Sequence, residues 1–165
     1  MRNFVLLLTA VVVLVLVNYG IWQREELISS GRTILLELAP VDPRSLMQGD
    51  YMALRFKIAT EAFLPDKIKG MQDGRIVLGV DPRGVGTFRR FADGRRDVDE
   101  SFLRYRIRNG QPKFATNAFF FQEKQGKYYQ EAKYGEFRVS PDGEAILVAL
   151  RGADLQTLGP KTAEH

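Results

Sequence analysis

Few residue types in this chain can carry out chemistry, and their spacing decides which kinds. Cysteine is absent, and the single histidine is His165. Without cysteine there are no disulfides, thiol nucleophiles or thiolate metal sites. A Ser-His-Asp arrangement has only that one imidazole to use, and it sits in a polar tail. Ser45 with Lys57 is the nucleophile–base pair that remains. No spacing supports it, and a lone loop serine reads as a turn or cap residue. Asp97, Asp99 and Glu100 form one acidic cluster in RRDVDES, of types suited to proton transfer or a hard cation. The cluster lacks the glycine and later glutamate of a calcium loop. Beside Arg95 and Arg96 it reads as a solvated loop. GVDPRGVG, residues 79–86, has neither a lysine after its glycines nor a helix to follow, which a phosphate cradle needs. Arg104, Arg106 and Arg108 alternate along one segment around Tyr105. Such a face could track single-stranded nucleic acid, a partner that the apolar N-terminal segment described next disfavours. It reads as a solvated strand face or a contact for lipid phosphates. The expectation is a protein with no catalytic constellation, cofactor, metal or nucleic-acid partner.

The elements that position these residues begin with an apolar segment. Residues 4–17 carry no charge and one polar residue, Thr9; Asn18, Tyr19 and Gly20 lead on to Ile21 and Trp22. As one helix, residues 4–22 span roughly 28 Å, near the hydrocarbon thickness of about 30 Å. Arg2 and Arg24 bracket the span. Tyr19 and Trp22 lie at one end, where amphipathic rings favour the headgroup region. The run is apolar on all sides, unlike a surface helix. Signal cleavage needs small residues just after the apolar core, and those positions hold Asn18, Tyr19, Ile21, Trp22 and Gln23. We therefore expect an uncleaved signal-anchor over residues 1–22, contacting lipid through residues 4–22. Residues 23–31 continue as a helical stalk that stops at Gly31. Basic residues on the two sides nearly balance, so they leave the orientation open. A short tail before a strongly apolar run resembles a secretory signal and favours a domain outside the cytoplasm.

The rest of the 165 residues suffices for one domain with its own core. Lys and Arg number 24 against 20 Asp and Glu, a net charge of +4. This mild excess suits residence near anionic headgroups and is too diffuse to indicate nucleic acid. Four Asx-Gly pairs, at Asp73, Asp93, Asn109 and Asp142, punctuate apolar runs and signal antiparallel hairpins. Strands are expected over residues 33–38, 51–58, 75–80, 86–92, 102–108 and 113–121. EFRVS and EAILVAL form a hairpin around Pro141-Asp142-Gly143. In residues 51–58, Met52, Leu54, Phe56 and Ile58 alternate with Tyr51, Ala53, Arg55 and Lys57. One short helix is expected near residues 126–134, with Tyr128 and Ala132 on one face and Gly135 closing it. The fold class is α+β and β-dominated: a transmembrane helix, then one mostly antiparallel β-domain over residues 32–159, and a flexible tail over residues 160–165.

GDYMALRF, residues 49–56, resembles the signature of the GDYXXLXY proteins. Gly49, Asp50, Tyr51 and Leu54 match, and Phe56 stands where the signature has tyrosine. The preceding VDPRSLMQ and the distal FFFQEKQGKYYQEAKYGEFRV are similar to the same family. The resemblance covers most of residues 32–151. It implies a bacterial membrane-anchored protein of undefined function, working with a multi-pass membrane protein, and it brings no catalytic residues. The corresponding localisation is the bacterial inner membrane, single-pass, with a periplasmic domain. A second likeness is to type I signal peptidases: Pro43, Leu46, Gly49 and Asp50 echo their pattern with one extra residue. Their nucleophilic serine and Gly-Asp-Asn-Arg motif are missing, so any hydrolase chemistry of that kind reads as lost. The motif residues have a plain structural role open to them, with Gly49 supplying a positive φ and Asp50 bonding backbone amides. The functional alternative is a partner face in which Gly49, Asp50, Tyr51, Leu54 and Phe56 meet Tyr134, Gly135, Glu136 and Arg138. Opposite charge at the edges of two apolar runs leads us to expect Asp50 close to Arg138.

Overall fold

The computed structural model describes residues 2–39, 47–48, 51–64, 68 and 70–160. Helix α1, Arg2–Ser30, is continuous, so the expected span and stalk are one rod. At about 1.5 Å per residue it is roughly 43 Å long. Its apolar part, roughly 28 Å, matches a hydrocarbon layer of about 30 Å, which leaves the last turns of the helix beyond that length. Residues 3–30 pass as one candidate membrane span with mean hydropathy 2.6, and none of that apolar window is buried against the domain. Gly31 ends the helix, and its amide donates to the Leu27 carbonyl at 3.0 Å.

Ten strands follow. They are β1 (Arg32–Glu37), β2 (Met47–Gln48), β3 (Tyr51–Ala53), β4 (Gly74–Val80) and β5 (Val85–Phe91), then β6 (Glu100–Arg108), β7 (Gln111–Lys113), β8 (Ala118–Phe120), β9 (Tyr134–Val139) and β10 (Ala145–Arg151). Seven build one sheet in the order β10-β9-β1-β5-β4-β6-β7, and β2-β3-β8 form a smaller one. All described pairs are antiparallel except β1 with β5. The large sheet curls until its ends approach. The Arg104 amide on β6 donates to the Gly143 carbonyl in the β9–β10 turn at 2.8 Å. The Arg32 guanidinium donates to the Glu100 carbonyl at 2.9 Å. Ile34, Leu36, Ile76, Leu78, Leu103, Phe137 and Leu150 fill the inside with no exposed surface. Met52, Leu54, Phe56, Ile58, Phe63 and Phe114 close one end.

Three expected elements differ. The strand over residues 51–58 stops early. Phe56 is the extended cap of a short helix α2, Lys57–Ala62. Alanine and glutamate favour that helix, and Lys57 lies 3.9 Å from Glu61 one turn on. The alternation in burial nonetheless holds, with Met52, Leu54, Phe56 and Ile58 at 2–3% exposure. The strand over residues 113–121 is broken into β7 and β8. Between them Ala115 takes φ 47°, turning the chain from one sheet to the other. The helix near 126–134 shrinks to a 3-10 turn, Gly126–Tyr129, and Gly135 belongs to β9 rather than closing a helix. Tyr129, not Tyr128, is the buried ring. The Asx-Gly pairs at Asp93, Asn109 and Asp142 place glycine at positive φ in turns. Asp73-Gly74 does not, because Gly74 starts β4 and the preceding strand lies in the other sheet.

Candidate functional site

Gly49 and Asp50 lie outside the described residues. Tyr51 pairs across β3–β8 with Phe120, their ring centroids 5.8 Å apart. Leu54 is buried, and its amide donates to the Asn117 carbonyl at 2.7 Å. Phe56 meets Phe137 at 5.4 Å and Phe114 at 6.4 Å, both edge to face. Such pairs stabilise beyond the area they bury. In this apolar cage a phenylalanine leaves no hydroxyl to satisfy. Gly135 lies beneath the Phe56 ring: a Cβ there would stand 3.2 Å from Phe56 Cε1 and 3.1 Å from Phe137 Cε2. The two blocks therefore meet through packing, with Phe56 on one side and Gly135 and Phe137 on the other.

Tyr134, Glu136 and Arg138 occupy the opposite face of β9, since side chains alternate along a strand. The Glu136 carboxylate is nearly buried and accepts from Arg151 Nε at 2.6 Å. Arg151 also donates to the Leu155 carbonyl, tying down the segment after β10. Arg138 donates to Thr33 Oγ1 at 2.7 Å and to the Gly31 carbonyl at 3.3 Å. A cation just past the C-terminal end of a helix is favourably placed. Arg138 thereby fastens α1 to the sheet. The expected Asp50–Arg138 pair involves a residue outside the described ones; among those described, Arg138 bonds Thr33 and Gly31.

Of the acidic cluster in RRDVDES, Asp97 and Asp99 lie in the exposed loop expected, and Glu100 does not. Glu100 starts β6 with its side chain 1% exposed. Arg90 donates to it, Arg89 lies 3.5 Å away, and the Asp97 amide donates at 3.0 Å. The Arg90 hydrogen bond, then the Asp97 amide, hold its carboxyl down at about 2. Asp99 pairs with Arg89 at 2.7 Å. A β-bulge explains how two consecutive arginines serve one acid. Val77 pairs with Arg90 and Leu78 with Phe88, leaving Arg89 as the extra residue. A bulge re-aims side chains in this way. Gly79, opposite Glu100, makes room: a Cβ there would collide with Arg89 Nε. Neither bulge nor partners could be read locally; the signal was the Arg89-Arg90 pair in an otherwise apolar strand. No group of three or more His, Asp or Glu suited to a metal occurs among the described residues.

The arginine stripe on β6 is largely ion-paired. Arg104 pairs with Glu144, and Arg108 with Asp73 at 3.1 Å. The Ile107 amide, then Arg108, hold the Asp73 carboxyl below its ordinary range. On the same outer face Phe102 lies between the guanidinium groups of Arg75 and Arg96, at 5.1 and 5.5 Å.

Residues 13–150 match the family model described as GDYXXLXY protein. No curated protein and no solved structure matches the chain, and the likeness to type I signal peptidases is not borne out. The matched span runs from the apolar helix through the motif packed on Phe137 to the β9–β10 hairpin, and the chain belongs to the GDYXXLXY family.

Proposed function

We propose that this protein is a membrane-anchored accessory subunit that docks on a multi-pass membrane protein, in a bacterial inner membrane with its β-domain on the periplasmic side. The observation that carries the reading is the packed, hydrogen-bonded joint between anchor and domain. Leu27 is partly covered, Gly31 packs against the Arg138 Cβ, and Arg138 binds both Gly31 and Thr33. A tether that only localised its domain would need no such joint. A packed one holds the domain in a set posture over the bilayer and lowers the entropy lost on docking to a partner in the same membrane. An aromatic edge supports the same reading. Among the described residues strand β8 is an edge of the small sheet, with Phe120 73% exposed beside Tyr51. Exposed strand edges accept further strands, and aromatic residues are enriched at interfaces.

Affinity isolation of the full chain in mild detergent tests this. A multi-pass protein at equal stoichiometry is the expected result. Phe120→Glu, on an exposed ring, should lower its recovery by at least about tenfold if Phe120 is an interface anchor. A chain that comes out alone sinks the proposal. Turnover of a small substrate abolished by one loop substitution would replace it with an enzyme. A periplasm-active reporter fused after the last residue should be active; activity of a cytoplasmic reporter instead would move the domain inside.

A further inference from the structure

A groove lies between the stalk and the outer face of β6. Arg24, Arg104, Arg106, Arg108 and Lys113 line it together with Glu144, enclosing about 330 Å³. Three carboxylates lie near these five cations: Glu144 by Arg104 and, at 3.9 Å, by Arg106, Asp142 by Arg104, and Asp73 by Arg108. Arg24 and Lys113 have no ion-pair partner among the described residues. The groove is thus open, cationic and only partly neutralised.

Its depth follows from the anchor. Arg24 is two residues beyond Trp22, about 3 Å further along the helix, so it emerges at the headgroup layer. Strand β6 runs the opposite way to the stalk. Arg32, just past the end of α1, donates to the Glu100 carbonyl at the start of β6 at 2.9 Å, and Gln23, Leu27 and Ser30 line a groove with Ser101. Arg24, nearer the membrane, shares its groove with Arg104, Arg106 and Arg108, near the end of β6. The far end of β6 and the Asn109-Gly110 turn therefore point back at the bilayer. We propose that this groove seats the phosphates of anionic phospholipid headgroups from the bilayer that α1 crosses. Arginine forks match phosphate oxygens with paired hydrogen bonds, and the packed joint holds them where those phosphates are densest. Charge complementarity and position select lipid as the occupant, and the site stands whether or not a protein partner docks on β8.

The chain has no cysteine, so Ala115→Cys at the exposed rim of the groove gives a single labelling site. The full-length protein, labelled there with a donor fluorophore, is reconstituted alone into phosphatidylcholine vesicles. Each vesicle carries a trace of acceptor on the headgroup of either phosphatidylglycerol or phosphatidylcholine. Energy transfer to the phosphatidylglycerol acceptor should exceed that to phosphatidylcholine by at least about twofold. The enrichment should shrink in about 0.5 M salt, which shortens screening to a few ångströms. Each neutralised cation should weaken lipid retention by about fivefold, so Arg106→Gln with Lys113→Gln should abolish the preference. Lys113→Gln alone, at an exposed residue outside any ion pair, should reduce it, and Lys113→Arg should preserve it. Equal transfer to both acceptors would overturn the proposal. So would a preference that survives the double variant, or one fully displaced by millimolar inorganic phosphate at constant ionic strength, which would make this a site for soluble anions. No protein partner is present in these vesicles, so loss of the preference is separate from failure of the isolation experiment.

Discussion

Glu100 is a carboxylate nearly out of contact with water, a costly position unless the charge is paired and hydrogen-bonded. Arg90, Arg89 and the Asp97 amide meet that need. Its carboxyl is lowered from about 4.5 to about 2 in the folded chain. Between those values the unfolded chain takes up a proton that the folded chain does not. The stability contributed by Glu100 is therefore complete above pH 4.5 and lost as pH falls towards 2. Glu100→Gln should lower stability at neutral pH and flatten its decline across that acidic window. Denaturant midpoints measured from pH 6 to pH 2 check this, and parallel curves for the two proteins would count against it. Asp73, Asp81 and Asp93 are shifted in the same direction by backbone amides, so some slope should remain. The sequence shows the acid but not which arginines meet it. They lie ten and eleven residues before it, and only the bulge at Arg89 turns both towards it.

Elements were legible where their signal is local. In the β6–β7 hairpin Arg108 pairs with Gln111, and Asn109 and Gly110 have φ of 53° and 69°. That is the turn an Asn-Gly pair favours. An L side chain at the second position costs about 1–2 kcal/mol. Gly110→Ala should lower Tm by about 3–8 °C, read by circular dichroism on the full chain in detergent. An unchanged Tm would mean that the turn adopts another geometry. The misread elements are short segments where two periods agree. Alternation over residues 51–58 placed Met52, Leu54, Phe56 and Ile58 inside, and a helix begun at Lys57 buries Ile58 as well. Likewise, Gly135 reads as a helix stop by composition. Close approach of the Phe56 and Phe137 rings, not helix geometry, is what accounts for a glycine there.

At the scale of the whole molecule, the anchor and domain form one unit through Leu27, Gly31 and Arg138. Cleavage within residues 20–32 would detach the rod that this joint is built to hold. We expect the protein recovered from membranes to retain its N-terminal residues, with an intact mass near 18.7 kDa. A mature species starting between residues 20 and 32 would refute the uncleaved anchor and remove the basis for both membrane readings above. Tethering also keeps the lipid groove permanently beside its ligand, so modest contacts suffice.

The apolar helix, the β-rich class, most strand positions and the GDYMALRF resemblance could all be read from residue order. Each depends on neighbours a few positions apart: an unbroken apolar run, a period of two, an Asx-Gly turn. Three features depend on pairing between distant segments, and the tertiary structure alone decided them. One is the parallel seam of β1 with β5 inside an otherwise antiparallel sheet. Another is the packing of Phe56 over Gly135, which explains why the two family blocks belong together. The last is the meeting of Arg24 with the far end of β6. Local periodicity says which side of a strand is buried, but not which strand lies beside it. That choice is made by the curl of the sheet and the fit of its core, and here the curl sets a row of arginines beside the point where the anchor leaves the membrane.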